Sequence, residues 1–115
     1  MVSEEDVRRV ALSLPGAGEQ PYNGLPGFRV RRNLFARVHE QPDAIFVKCV
    51  DIAERDGLLG SEPEKFFITE HYRGYPGMLV RLSAIDFDEL TELLTESWRL
   101  AAPKRLLAEF DAHHP

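Results

Sequence analysis

The sequence predicts an α+β domain: an antiparallel β-sheet with N-terminal and C-terminal helices packed on one face. Two observations carry that prediction. Apolar residues recur at helical spacing most clearly near the two ends of the chain, as Val7, Val10, Ala11 and Leu14, then as Leu90, Leu93, Leu94 and Trp98. Between them lie short apolar–polar alternations separated by turn residues, and connections that short join antiparallel neighbours. Helices gathered around a central set of strands bury their apolar stripes on one sheet face, which leaves the other face to solvent.

The elements follow in order. A first helix is expected over residues 4–14, with Ser3 as cap, Asp6 at the third helical position, and Val2 and Val7 spaced as a hydrophobic staple. Leu14-Pro15-Gly16 ends it. The run from Gly16 to Gly27 holds four Gly and two Pro and reads as ordered loop. Strands are expected over 28–32, 34–39 and 44–50, with Asn33 as a tight connection and Gln41-Pro42-Asp43 as a turn. Asp51 caps a short helix from Ile52 to Leu59, closed by Gly60. Phe66–Thr69 and Met78–Ala84 read as two further strands, joined by a turn-rich connector with exposed aromatics. Asp86 and Glu89 have capping-box spacing before a helix over 86–99, with Ile85 placed to staple Leu90 and Phe87 on the buried face. Pro103 suits the first position of a last helix over 103–111, and His113-His114-Pro115 reads as a frayed tail. The expected core is Val10, Leu14, Phe28, Val47, Val80, Leu90, Leu94 and Trp98.

Bulk composition narrows the function classes. The 115 residues suit one domain, 1–115. The single cysteine, Cys49, excludes an intrachain disulfide framework and fits a reducing compartment. Ser3-Glu4-Glu5-Asp6 stands where a signal peptide would carry lysine, and apolar runs are too short for a membrane span. A cytoplasmic protein with no membrane partner is the expectation. No H-E-x-x-H or C-x-x-C spacing, phosphate-binding glycine loop or nucleophile with an adjacent base is present. Cys49, on the apolar side of its strand, reads as a small buried hydrophobe. No catalytic residue, metal or cofactor is therefore expected.

Several segments resemble the MmcQ/YjbR-like family. They are Leu12-Ser13-Leu14-Pro15-Gly16 with Glu19, Phe28-Arg29-Val30 before Leu34-Phe35-Ala36, and Val47-Lys48-Cys49-Val50. Tyr72-Arg73-Gly74-Tyr75-Pro76-Gly77 running into Met78-Leu79-Val80 is similar to that family's tyrosine–glycine turn, and Trp98 with Ala102-Pro103-Lys104 to its closing segment. The resemblance implies a compact α/β domain and a description as a DNA-binding protein with a double-wing motif. It implies no catalytic residues.

The charge pattern gives the candidate site. The chain has net charge −5, yet residues 28–38 hold four arginines and no Asp or Glu. Strand alternation places Arg29 and Arg31 on one side, opposite Phe28 and Val30; Arg37 projects with Phe35 and His39, opposite Leu34, Ala36 and Val38. Lys48 and Arg81 likewise oppose apolar neighbours, so these five cations are expected to share the outer sheet face. Such a face suits phosphates or carboxylates, although outward strand positions are polar in any soluble sheet. His71, Tyr72, Arg73 and Tyr75 add a second cluster able to stack on bases, or simply to pin a glycine-rich turn. The expected function is a non-enzymatic binding module for DNA. The alternative is a domain that binds a small anion or an acidic protein segment. An isoelectric point near 5.3 predicts that any affinity for nucleic acid is weak.

Overall fold

Helix α1 spans Glu4–Ser13 and begins as its sequence dictates. The Ser3 hydroxyl accepts the Asp6 N–H at 3.1 Å, and the Asp6 carboxylate accepts the Ser3 N–H at 3.0 Å. That main-chain hydrogen bond holds the Asp6 carboxyl below its ordinary range. In this computed structural model, which describes residues 1–113, the chain continues through β1 (Ala17–Glu19), β2 (Gly27–Val30), β3 (Asn33–Val38) and β4 (Ala44–Lys48). Helix α2 (Ile52–Ser61) leads to β5 (Phe66–Phe67) and β6 (Gly77–Arg81), and α3 (Phe87–Ala101) and α4 (Lys104–His113) close the chain.

The six strands form one antiparallel sheet in the order β1-β2-β3-β4-β6-β5. All eight residues expected in the core are buried. The Trp98 indole N–H donates to the Pro15 carbonyl at 2.9 Å, and α4 lays Phe110 against the Trp98 ring at 5.1 Å.

Several local expectations change. The Gly16–Gly27 run contains β1 and a tight hairpin, because Tyr22 and Leu25 exchange main-chain hydrogen bonds of 2.8 and 3.0 Å. Asn23 and Gly24 take φ 52° and 78°, the left-handed pair that a primed hairpin turn requires. The β2–β3 connection is Arg31-Arg32 rather than Asn33, with Arg31 at φ 56° and Val30 paired to Asn33. Gly60 does not close α2, since a single helical glycine costs only ~1 kcal/mol and the Asp51 cap holds the start. Strand β5 stops at Phe67, and the strand expected to reach Ala84 ends at Arg81 in a 3₁₀ turn. Asp86 caps α3, but Glu89 bonds Lys65 at 2.6 Å instead of completing a capping box. Phe87 is exposed on the helix's first turn. His113 belongs to α4, while His114 and Pro115, the rest of the expected frayed tail, lie outside the described residues.

The largest correction is one of phase. Phe28 pairs with Ala36 but Arg29 pairs with Leu34, so Phe35 is an extra residue in β3. Such a bulge shifts side-chain alternation by one position. Phe35 therefore joins Ala36 and Val38 in the main core, and Leu34 crosses to the outer face. That face is not left open. Phe46, Leu79 and Tyr72 make a second small core on it, with Leu34 and Phe67 packed alongside.

Candidate nucleic-acid interface

Two features occupy the β2–β3–β4 side of the outer face: an aromatic cleft and an arginine-bearing hairpin tip. The cleft has a volume of about 230 Å³ and is walled by Tyr22, Phe46, His71, Tyr72 and Tyr75, with Arg37 among its lining residues. The Phe46 and Tyr72 rings stack at 5.4 Å, and His71 meets Tyr72 edge-on at 4.9 Å. Tyr22 reaches the sheet because Gly27 has no side chain there; a Cβ at that position would stand 2.8 Å from the Gln20 carbonyl oxygen.

Arg37 is 6% exposed, which corrects the expectation of an exposed outer cation. Its Nη1 donates to Glu40 at 3.1 Å and to the Val38 carbonyl at 3.2 Å. Its Nη2 approaches the Tyr72 hydroxyl at 3.4 Å, and the guanidinium lies 4.6 Å from the Tyr22 ring centroid. Its Nη1, held between a carboxylate and a carbonyl, is committed to the fold, while Nη2 makes only the long contact to Tyr72. Beside it, His39 Nδ1 accepts the Gln41 N–H at 3.0 Å. Burial, then the charge of Arg37, pushes the His39 pKa below its usual value.

The far wall of the cleft is held from behind. Arg55 on α2 is 1% exposed, and its guanidinium donates to the carbonyls of Tyr72, Arg73, Tyr75 and Gly77 at 2.5–3.2 Å. The Tyr72 and Tyr75 carbonyls also accept the Tyr75 and Gly77 N–H groups, at 3.1 and 2.8 Å, so Arg55 fills second acceptor positions and cross-links the turn to α2. This arrangement also corrects the expected connector of exposed aromatics. Tyr72 is buried, Tyr75 and His71 are exposed, and Arg73 is paired with Glu70 at 2.8 Å.

The arginine tip is different in kind. Arg31 leaves the strand face on which it was expected, because it occupies the turn; Arg31 and Arg32 are both exposed there. Arg29 is half-buried on the outer face of β2, donates to the Arg32 carbonyl at 3.3 Å and lies 5.9 Å from the Tyr22 ring. Arg29 Nε is a buried donor without a partner among the described residues. Asn33 donates to the Ala101 carbonyl at 3.0 Å, which ties the tip to the C-terminus of α3. The partial negative charge of that helix end offsets part of the repulsion among the arginines. A shallow trough of about 380 Å³ between β1 and the tip is bordered by Gly16, Gly18, Arg29 and Arg31. Its one carboxylate, Glu19, is gripped by Arg8 at 2.8 and 3.1 Å and held below its usual pKa by that bond.

Lys48 and Arg81 remain on the outer face by register, yet they are not part of the tip. Lys48 is half-buried opposite Gly77, and Arg81 stacks over the Phe67 ring at 4.1 Å. Among the described residues, no group of three or more His, Cys, Asp or Glu is placed to hold a metal ion. No described helix is long and apolar enough to cross a membrane. Burial pushes the Cys49 thiol up to about 11, so little of the nucleophilic thiolate exists at neutral pH.

Tyr22, Phe46 and Leu34 were not among the site residues read from the sequence, and Arg32 was counted in the arginine run without being assigned to the site. Asn23-Gly24, a strong hairpin signal, was the available clue to Tyr22.

Fold and site together define a small α+β domain in which an antiparallel sheet presents a cationic and aromatic outer face. The chain belongs to the YjbR family, which its residues 12–100 match. Uncharacterized proteins of Mycobacterium bovis and Mycobacterium tuberculosis are each 34% identical to it, over 98% of this chain and 98% of theirs. The fold is also that of the crystal structure of Deinococcus radiodurans protein DR2400, of domain family DUF419. That likeness has a TM-score of 0.72 and 24% identity, covering 87% of this chain and 78% of that one.

Proposed function

We propose that this protein is a non-enzymatic binding module that holds the phosphate backbone of nucleic acid at the tip of the β2–β3 hairpin. One observation carries the reading. Among the described residues, seven of the fourteen Lys and Arg side chains have a carboxylate within 4.0 Å, whereas Arg29, Arg31 and Arg32 stand together without one there. Arginines left unpaired in a chain with nineteen acidic residues are available to an outside anion. A tight hairpin carrying them resembles a short wing, in keeping with the double-wing description that the family resemblance brings.

Net charge −5 works against the complex at long range, so affinity is low and falls steeply with salt. The test is fluorescence anisotropy of labelled duplex and single-stranded oligonucleotides at low salt. Binding that weakens with salt and is abolished by reversing Arg31 and Arg32 supports the reading. No anisotropy change with either oligonucleotide overturns it. Binding of an acidic peptide or a small dicarboxylate instead reassigns the tip to carboxylates.

A further inference from the structure

The aromatic cleft lies beside the arginine tip, and Tyr22 joins them. Its ring centroid is 4.6 Å from the Arg37 guanidinium on the cleft side and 5.9 Å from that of Arg29 on the tip side. We infer that the cleft is a seat for one unpaired nucleobase, so that the nucleic acid bound is single-stranded. This inference rests on the phosphate-binding reading of the tip and gives it a substrate class.

Size is the first argument. About 230 Å³ falls below the ~300–1,000 Å³ typical of drug-sized ligands, so the cleft takes a single flat ring system and little more. Shape is the second. His71 and Tyr75 are exposed at the cleft, each touching the wall only at one side (His71 edge-on to Tyr72 at 4.9 Å, Tyr75 tilted 6.1 Å from Phe46), whereas Phe46 and Tyr72 are stacked on one another and buried as its fixed wall. The fixed wall is rigid because Arg55 clamps the Tyr72–Gly77 turn by four carbonyls.

Charge is the third argument. An aromatic box alone would suit a cation, but the Arg37 guanidinium within this one disfavours cations. Arg37 Nη2 carries two hydrogens, and among the described residues its one hydrogen bond is the long 3.4 Å approach to the Tyr72 hydroxyl. The spare donor suits a ring carbonyl or ring nitrogen acceptor, and every nucleobase presents at least one of these once it is unpaired. A base paired in a duplex cannot enter a cleft of this shape without leaving its stack. The backbone of a single strand, by contrast, runs from the cleft past Tyr22 to Arg29, Arg31 and Arg32.

The experiment compares three labelled probes of equal length at low salt: single-stranded oligothymidine, the same backbone made abasic, and a blunt duplex. Base–aromatic stacking is worth roughly 1–3 kcal/mol, so oligothymidine should bind roughly 5- to 150-fold tighter than the abasic strand. Tyr75→Ala and, independently, His71→Ala should each erase most of that preference and leave abasic binding unchanged. Both side chains are exposed, and neither substitution removes the main-chain carbonyls that Arg55 holds. Equal binding of oligothymidine and the abasic strand overturns the base seat while leaving the phosphate reading of the tip intact. Tighter binding of the duplex than of either single strand does the same. No binding of any probe overturns the tip reading and the base seat together.

Discussion

Arg55 donates to the main-chain carbonyl of Tyr75 at 2.7 Å, and the same guanidinium also reaches the carbonyls of Tyr72, Arg73 and Gly77. One buried side chain on α2 thus ties down a turn that has only a few short-range main-chain hydrogen bonds of its own. Removing it breaks four hydrogen bonds from one charged donor, each worth about 1.5–3 kcal/mol before relaxation, although the Tyr72 and Tyr75 carbonyls keep their main-chain donors. Arg55→Met should therefore destabilise the protein by roughly 2–4 kcal/mol in urea unfolding. Arg55→Lys should recover only part of the loss, because an ammonium cannot reproduce the planar fork. Stability of Arg55→Met within about 0.5 kcal/mol of the parent would show the clamp to be dispensable.

The four arginines of residues 28–38 should separate into two classes. Arg31→Glu with Arg32→Glu breaks no ion pair among the described residues, so thermal unfolding should shift little while oligonucleotide binding is lost. Arg37→Ala removes a buried fork from Glu40, Tyr72 and Tyr22 and should cost about 1–3 kcal/mol. If the three tip arginines meet three phosphates, log K against log salt for a single strand has a slope of roughly −2. A flat salt dependence would separate any observed binding from phosphates.

Gly24 has φ 78° and nothing within 4 Å of where a Cβ would stand. Gly24→Ala thus tests conformation alone and should cost about 1–2 kcal/mol, the penalty of a left-handed non-glycine residue. Because the turn sets Tyr22 over Arg37, the variant should also weaken single-strand binding more than abasic binding.

Leu94 is fully buried in the middle of α3. Leu94→Ala should lower stability by about 2–5 kcal/mol, measured by chemical unfolding. A loss below about 0.5 kcal/mol would be incompatible with that placement.

His39 supplies a pH dependence whose sign follows from its environment. Burial and Arg37 lower its folded pKa, with Glu40 opposing and His71 and the Tyr72 ring nearby. Below the ordinary value of 6.5 the unfolded chain takes up the proton before the folded one does, so stability falls as pH drops through that window. The proton would also displace the Gln41 N–H bond at Nδ1. His39→Asn should flatten the stability curve between about pH 7 and pH 5; an unchanged slope would assign the dependence to other groups.

What the sequence determined by itself was local. The Ser3, Asp51 and Asp86 caps, the stripes of α1 and α3, and the eight core residues follow from spacings of two to four residues, and each is found where those spacings place it except Phe87, which α3 exposes. Tertiary structure decided which side chains share a face and which charges are free. One extra residue at Phe35 reversed the phase of the start of β3, so Leu34 and Phe35 exchanged sides although every residue kept its local pattern. Pairing behaves the same way. Arg8 found Glu19 eleven positions away, Lys65 found Glu89 across twenty-four, and Arg55 found carbonyls about twenty positions on. Alternation and capping are fixed by bond geometry along the chain, but the availability of a cation depends on distance through space, which only the folded arrangement supplies.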